Sequence, residues 1–261
     1  MHPSAKTRPA LTEAQVSTYR ETGYLHLPGL IPAAEIAALA TAIDELPQRQ
    51  AGLIDSLNNR FEWAAGADGR QQVWKWDPVS DVCPEISSLV HGRRIRDVLA
   101  CLFDGREPQL FKDKLIIKPP HTRGNGLHQD YTWWQGFPNS TLTVTVSIDA
   151  ATRENGCTEI YPGMHTNGLL HPPGAMEHLP DAAVAGREPQ YFAAQPGDVA
   201  IFHCFTPHRA GVNNTDYCRR QLFLSYNDSA DGDHYAAHYR HFLDYRTRNL
   251  PADERARYFL R

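Results

Sequence analysis

The sequence has no long apolar run. Nowhere does it approach the roughly 18 consecutive apolar residues that a membrane-spanning helix requires, and the opening MHPSAKTRPALTEAQ contains no apolar signal core. We therefore expect a cytoplasmic protein without a membrane partner.

An excess of positive charge is also missing. The 261 residues include 26 Lys and Arg side chains against 30 Asp and Glu side chains, which gives a net charge of -4. This balance provides no general attraction to nucleic acid. A small molecule is the expected partner, and the sequence is compatible with either a monomer or a homodimer.

Cysteine pairs are absent as well. The five cysteines are odd in number, dispersed along the chain and never spaced as CxxC. Both a disulfide framework and a zinc knuckle need paired cysteines. The sequence therefore predicts reduced thiols.

Helical patterns dominate the amino-terminal third, about residues 1–107. Thr12 and Gln15 have the spacing of a capping box, and apolar residues recur at helical spacing after Pro32 and again after Pro84. YLHLPGL, residues 24–30, indicates one short strand, and residues 51–80 show no clear pattern. A second helical segment is predicted over about residues 229–261.

The apolar pattern changes to a period of two over about residues 108–228. TLTVTVSID, residues 141–149, alternates apolar and hydroxyl side chains, and in RRQLFLSYN the side chains of Arg219, Gln221 and Ser225 share one face. Either a sheet with its polar face in water or a barrel with a polar interior and helices outside explains this alternation. Because amphipathic helices are available to cover the outside, we predict one domain, mainly β with helices (α+β).

LHQD contains a candidate pair of metal ligands. His128 and Asp130 lie two positions apart, so on a strand their side chains point to the same face. An open Fe(II) site uses two imidazoles and one carboxylate. With 13 histidines in the chain, however, an ordinary polar pair on a strand is the simpler explanation of this motif alone.

The segment FTPHRAGVNNTDYCRRQLFLSYN supplies a candidate for the missing ligand. His208 follows a predicted strand and a proline turn, and Arg219 lies eleven residues later on the polar face of the closing strand. A permanently charged guanidinium suits the distal carboxylate of a metal-bound 2-oxo acid. His203 lies inside a strand and lacks the spacing to an arginine, and a packed or solvated helical face explains His234, His238 and His241 more simply than a metal site does.

These motifs together resemble the phytanoyl-CoA dioxygenase family of Fe(II)- and 2-oxoglutarate-dependent oxygenases. The resemblance runs through LTEAQVSTYRETGYLHLPGLIPAAEIAAL, LIIKPP, LHQD, ENGCTEIYPGMH and PGDVAIFH to the ending H…NNT…RR. It implies a double-stranded β-helix, or jelly-roll barrel, with helices packed outside. It also implies Fe(II), 2-oxoglutarate and O2 as cofactor and co-substrates.

By this resemblance His128, Asp130 and His208 are the iron ligands, and Arg219 holds the distal carboxylate of 2-oxoglutarate. Ser147 lies on the polar face of its strand, where a hydroxyl commonly assists. We also assign the side chains of two further residues to the co-substrate site, namely Lys114 and Gln129.

The reaction implied is hydroxylation, or another oxidation, of a small polar metabolite or natural-product intermediate, with release of succinate and CO2. Two alternatives remain at this point. The barrel could be a non-catalytic sensor that binds a metal and a 2-oxo acid, or a cupin-type dioxygenase that does not use 2-oxoglutarate.

Two groups of residues near the ligands are candidates for substrate binding. Trp133, Trp134 and Phe137 could form an aromatic wall, or could simply close the end of the barrel. Lys112, Lys114 and Lys118 alternate onto one face of the preceding strand; protection of an edge strand is the competing explanation. The loop that follows adds two polar candidates, Arg123 and Asn125.

Overall fold

A computed structural model describes residues 10–65, 69 and 71–261; the first nine residues of the predicted helical third lie outside these ranges. The capping box is present, because the Thr12 hydroxyl accepts a hydrogen bond from the Gln15 amide while the Gln15 side chain accepts one from the Thr12 amide. The helix ends at Gly23, whose φ of 66° suits glycine. The helices are α1 (Glu13–Thr22), α2 (Ala33–Arg49), α3 (Pro84–Val90), α4 (Arg93–Leu102), α5 (Tyr235–Thr247) and α6 (Ala252–Arg255).

The described strands form two antiparallel sheets. The larger sheet has the order β1-β9-β6-β11-β4-β3-β2, and the smaller one has the order β5-β10-β7-β8. The strands are β1 (Tyr24–Leu27), β2 (Phe61–Ala65), β3 (Gln71–Trp76), β4 (Pro108–Lys118), β5 (Asn125–His128), β6 (Leu142–Ser147), β7 (Thr158–Ile160), β8 (Gln190–Phe192), β9 (Val199–His203), β10 (His208–Ala210) and β11 (Arg219–Asp228).

One face of the large sheet is apolar and the other is polar, as predicted. Val144 and Val146 of β6 pair with Leu224 and Leu222 of β11, and all four pack in one core cluster with the apolar side chains of α2. On the opposite face the hydroxyl and amide side chains of these strands are buried rather than in water. The barrel with a polar interior is therefore confirmed, and with it the jelly-roll fold.

The lysine face of β4 points into this interior. β4 pairs with β11 on one side and with β3 on the other, so it is not an edge strand and edge protection is the wrong explanation for its lysines. The register places Lys118 opposite Arg219 and Lys114 opposite Phe223. One wall of the barrel thus carries a row of cationic side chains.

Two regions differ from the sequence-based expectation. The amino-terminal third is not only helical, because β2 and β3 form a hairpin in the region without a clear pattern and extend the large sheet. The last predicted helix is interrupted after Thr247 and is followed by the short α6. α5 packs against β4 and closes one side of the barrel. Among the described residues, no helix combines the length and apolarity needed to cross a membrane.

Candidate metal centre and co-substrate pocket

Three buried side chains converge at one end of the barrel. His128 ends β5, Asp130 follows it, and His208 begins β10 directly opposite His128. One ligand atom from each lies within 4.8 Å of the others, and both imidazole Nε2 atoms are 3.9 Å from Oδ1 of Asp130. In the described ranges no second group of histidine, cysteine or carboxylate side chains has this arrangement, which argues against His203 and the α5 histidines as a metal site.

The two imidazoles are held in the form that binds metals. Nδ1 of His128 lies 2.7 Å from the Gly126 carbonyl, and Nδ1 of His208 lies 3.0 Å from the Thr206 carbonyl. Because a carbonyl only accepts, Nδ1 carries the hydrogen and Nε2 keeps its lone pair. Burial lowers the pKa of both rings, so they are neutral near pH 7.

The carboxylate is held in its charged form. Burial alone would raise the pKa of Asp130, but the neighbouring His208 and Lys114 outweigh it and keep the pKa below its usual range. Two neutral imidazoles and one carboxylate that face a cavity are the donor set of an open Fe(II) site. The cavity has a volume of about 870 Å³ and is lined by all three side chains. The residues present therefore fit the iron that the sequence implied.

Thr143 fixes the orientation of this carboxylate. Its hydroxyl donates to Oδ2 of Asp130 at 2.7 Å and lies 3.1 Å from the hydroxyl of Ser225, and all three residues are buried. Oδ1 is thereby left to face the two imidazoles. Thr143 is a positioning residue that sequence reasoning did not single out, because a hydroxyl on an alternating strand gives no signal of its partner.

We expect Thr143→Val to weaken Fe(II) binding by about 10-fold to 100-fold, as loss of an outer hydrogen bond to a metal ligand typically does. The substitution keeps the shape of the side chain and removes its hydroxyl. Anaerobic titration of Fe(II) gives the dissociation constant. Thr143→Ser is the matched control and retains near-normal affinity; equal loss in both variants would show that packing, rather than the hydrogen bond, matters.

Arg219 and Lys118 lie opposite each other on β11 and β4 and form a buried pair of like charges in the cavity that contains the triad. Burial lowers the pKa of Arg219 to about 10; burial, together with the Arg219 guanidinium, lowers the pKa of Lys118 to about 8. Both side chains line the cavity, and no described carboxylate lies within 4.0 Å of either charged group. Nε of Arg219 is buried without a hydrogen-bond partner in the described structure. Such a site requires an anion.

Ser147 contributes to this pocket indirectly. Its hydroxyl accepts a hydrogen bond from Gln221 at 3.1 Å, and the Gln221 side-chain oxygen accepts one from Arg219. Ser147 itself is not among the residues that line the cavity. These two hydrogen bonds therefore orient the Arg219 guanidinium, and the serine hydroxyl is not presented to a ligand.

The predicted role of Gln129 is wrong. Its amide donates to the carbonyls of Gly168 and Phe205 at 2.8 and 2.7 Å, and its side-chain oxygen accepts from the amide of Leu170. The side chain is fully buried, is not part of the cavity wall and has no group left for a ligand. Gln129 fixes the loops that surround the metal centre.

Some of the predicted substrate residues line the cavity in the structure, and others do not. Phe137 does not line the cavity; it packs against Phe111 and against the histidines of α5, and so belongs to the end of the barrel. Lys112 lies in the cavity wall but is already paired with Asp77 at 2.9 Å. The other predicted residues also line the cavity: Trp133, Trp134, Lys114, Arg123 and Asn125.

One wall of the cavity was missed from the sequence. Four side chains of α5 face the cavity at helical spacing, and the β2–β3 hairpin adds two tryptophans. The row of histidines in α5 was visible, but an aromatic face of a helix usually packs in a core, so it indicated no site. The missed residues are Trp63, Trp74, His238, His241, Phe242 and Tyr245.

Known proteins resemble this chain over most of its length. The family model of phytanoyl-CoA dioxygenase (PhyH) matches residues 19–221. A methylphosphonate hydroxylase from Gimesia maris is 30% identical over 225 residues, which cover 85% of this chain and 83% of that protein. A 2-aminoethylphosphonate dioxygenase from an uncultured bacterium is 26% identical over 252 residues, covering 94% and 91%.

A solved structure shows the same relationship in three dimensions. The non-heme alpha-ketoglutarate-dependent carbocyclase SnoK from nogalamycin biosynthesis superposes with a TM-score of 0.67 at 25% identity, covering 86% of this chain and 88% of that one. The protein is thus an Fe(II)- and 2-oxoglutarate-dependent dioxygenase, in agreement with its triad and its anion-requiring arginine. Through the family match and these relatives, the chain belongs to the phytanoyl-CoA dioxygenase family.

Proposed function

We propose that the enzyme hydroxylates a small phosphonate. One oxygen atom of O2 enters a C–H bond of the substrate to give an alcohol, and the other enters 2-oxoglutarate, which leaves as succinate and CO2. The observation that carries the proposal is Lys114, a cation that lines the same cavity as the triad and has no described carboxylate within 4.0 Å.

The cavity contains more positive charge than iron and 2-oxoglutarate need. Arg219, Lys118, Lys114 and Arg123 line it without a described carboxylate partner, and Asp130 is the only carboxylate in the metal triad. The charges of Fe(II) and the 2-oxoglutarate dianion cancel. After Asp130 offsets one cation, three remain, which favours a second anion as substrate. A phosphonate dianion meets this requirement better than a neutral or cationic molecule.

Different side chains bind each of the three ligands, which are iron, 2-oxoglutarate and the phosphonate. We propose that His128 and His208, through Nε2, and Asp130, through Oδ1, hold the iron, which when bound supplies the activation of O2 and the removal of hydrogen from the substrate. Arg219 and Lys118 hold the distal carboxylate of 2-oxoglutarate. No side chain is required as a general base, so the contribution of the chain is orientation and exclusion of water.

Lys114 is suited to hold the phosphonate close to the metal. Burial lowers its pKa to about 8, and its charge in turn lowers the pKa values of His128 and Asp130, which indicates proximity to the triad. Among the described residues its ammonium lies over the Phe223 ring, 5.1 Å from the centroid, and forms no ion pair. The sequence assigned Lys114 to 2-oxoglutarate; we now assign it to the substrate, because Arg219 and Lys118 already provide for the co-substrate. The names of the two phosphonate-oxidising relatives support the same substrate class.

The test measures succinate and O2 with methylphosphonate and 2-aminoethylphosphonate as substrates. We expect phosphonate-dependent turnover, and we expect Lys114→Gln to raise the KM for phosphonate by about 10-fold to 100-fold, the cost of a lost charged hydrogen bond. The KM for 2-oxoglutarate should change little, and the control Lys114→Arg should retain most of the affinity for phosphonate.

Three results would contradict the proposal. Binding of 2-oxoglutarate without turnover of any phosphonate would show that the substrate belongs to another class, and turnover of a phosphonate without succinate formation would contradict the proposed reaction. If Lys114→Gln raised the KM for 2-oxoglutarate and not the KM for phosphonate, Lys114 would belong to the co-substrate site.

A further inference from the structure

Five aromatic side chains line the cavity that contains the metal triad, and we call them the aromatic chamber. They come from three separate parts of the chain: the β2–β3 hairpin, the turn after Asp130, and α5. All five belong to the wall of the same cavity as the metal triad. The members of the aromatic chamber are Trp63, Trp74, Trp133, Phe242 and Tyr245.

Most of the aromatic chamber is not part of a packed core. Among the described residues, Trp63, Trp74, Phe242 and Tyr245 belong to none of the hydrophobic clusters. Trp63 is 37% exposed, and neither it nor Trp74 makes a ring contact with another described aromatic side chain. Exposed aromatic surface in a cavity is unfavourable in water, and an apolar ligand removes that penalty.

Trp133 connects the aromatic chamber to the metal centre. Its ring centroid is 5.1 Å from that of His128, and its indole nitrogen donates to the Tyr245 hydroxyl at 3.2 Å. A molecule held near the triad by Lys114 can therefore extend along Trp133 toward α5. The C–H bond to be oxidised would lie between the anionic group and the part of the molecule in the chamber.

The charged groups around the aromatic chamber are already paired with each other. Lys75 is bonded to Glu62, which also accepts from Arg246 at 3.0 Å, and Lys112 is paired with Asp77 at 2.9 Å. Three cations thus share two carboxylates, so this cluster keeps one net positive charge beside the Phe242 ring. A cationic group is therefore disfavoured here, and the aromatic surface favours an uncharged apolar group, in contrast to the anionic group held by Lys114.

The size of the cavity agrees with a larger substrate. 2-Oxoglutarate and methylphosphonate together have roughly 15 non-hydrogen atoms; even at the roughly 30 Å³ that a water molecule occupies in the liquid, they fill only about half of the space. The full cavity measures about 870 Å³. Methylphosphonate alone would leave the aromatic rings in water.

We infer that the substrate is a phosphonate whose carbon carries a planar apolar group, and that this group binds in the aromatic chamber. The inference rests on the proposed function, because it takes the phosphonate as the group held by Lys114. It goes further in assigning Trp63 and Trp74 as determinants of specificity. Aromatic rings offer a planar partner both contact area and favourable stacking.

Benzylphosphonate and methylphosphonate provide the comparison that tests this inference. We expect a KM for benzylphosphonate at least about tenfold lower than for methylphosphonate, which corresponds to about 1.4 kcal/mol. Trp63→Ala and Trp74→Ala should each raise the KM for benzylphosphonate by about tenfold and leave that for methylphosphonate within about twofold. Calorimetry in the absence of O2 should show the same changes in the dissociation constants. Tyr217→Ala removes an exposed ring outside the cavity and serves as the control.

The outcomes separate this inference from the proposed function. Equal KM values for the two phosphonates, unchanged in both tryptophan variants, would overturn the aromatic chamber as a substrate site while leaving a phosphonate hydroxylase in place. Failure of both phosphonates to bind and to support succinate formation would overturn the proposed function and the inference together. Because methylphosphonate is tested on each variant, a variant that fails to fold is recognised by its loss of both activities.

Discussion

Asp130→Ala is expected to abolish iron binding at micromolar metal and to remove turnover. Loss of a hydrogen bond to a metal ligand already costs about 10-fold to 100-fold in affinity, so loss of the carboxylate ligand itself should cost more than about 100-fold. The carboxylate also supplies the only negative charge of the triad. Without it, two neutral imidazoles would have to hold a dication beside the Lys114 ammonium, which is electrostatically unfavourable.

Thermal unfolding under anaerobic conditions measures this effect without relying on activity. When free Fe(II) is about 100 times its dissociation constant, binding stabilises the folded protein by about 2.7 kcal/mol, and Asp130→Ala should lose this increment while the metal-free Tm changes little. Asp181→Ala, which removes an exposed carboxylate paired with Arg209, is the matched control. An undiminished rise of Tm with Fe(II) in Asp130→Ala would show that the ion binds elsewhere.

The fold was readable from the sequence where one face of an element is buried in a core. In β6 and β11 the apolar side chains meet the helices, so the period of two is strict and their inward faces could be assigned residue by residue. The same alternation placed Arg219 on the inward face, whereas the sequence left the direction of the β4 lysines open and the pairing of β4 with β11 and β3 decides it. The β2–β3 hairpin was missed because its exposed and half-buried side chains, which include Trp63, do not alternate with a core.

The candidate site was predictable only as far as its spacing is local. His128 and Asp130 share a face because they lie two residues apart. His208 and Arg219 were candidates because a predicted strand and a proline turn precede His208, and Arg219 lies on the polar face of the closing strand. Contacts between distant segments carry no such signal. Gln129 and Phe137 looked equally suitable as ligand-binding residues. In the structure the Gln129 amide is hydrogen-bonded to loop carbonyls, and the Phe137 ring packs against a histidine of α5.

Arg219→Ala is expected to raise the KM for 2-oxoglutarate by at least about 30-fold, because removal of one partner of a buried charge pair costs about 2–5 kcal/mol. Arg219 is 3% exposed, and its Nε has no partner among the described residues, so the distal carboxylate is the group that would complete it. Lys118 remains in the variant and preserves some affinity. The affinity for Fe(II) should stay near normal, since Arg219 does not belong to the metal triad.

The neighbouring arginine provides a control with the same change in charge. Arg220 points to the opposite face of β11, where it pairs with Asp149 and Asp44 outside the barrel. Because Arg220 lies outside the barrel, Arg220→Ala should leave the KM for 2-oxoglutarate within about twofold. It should lower the free energy of unfolding by only about 0–1 kcal/mol, the usual contribution of a surface ion pair. Steady-state kinetics and calorimetry with 2-oxoglutarate separate the two variants. An unchanged KM for 2-oxoglutarate in Arg219→Ala would mean that Lys118 alone holds the distal carboxylate.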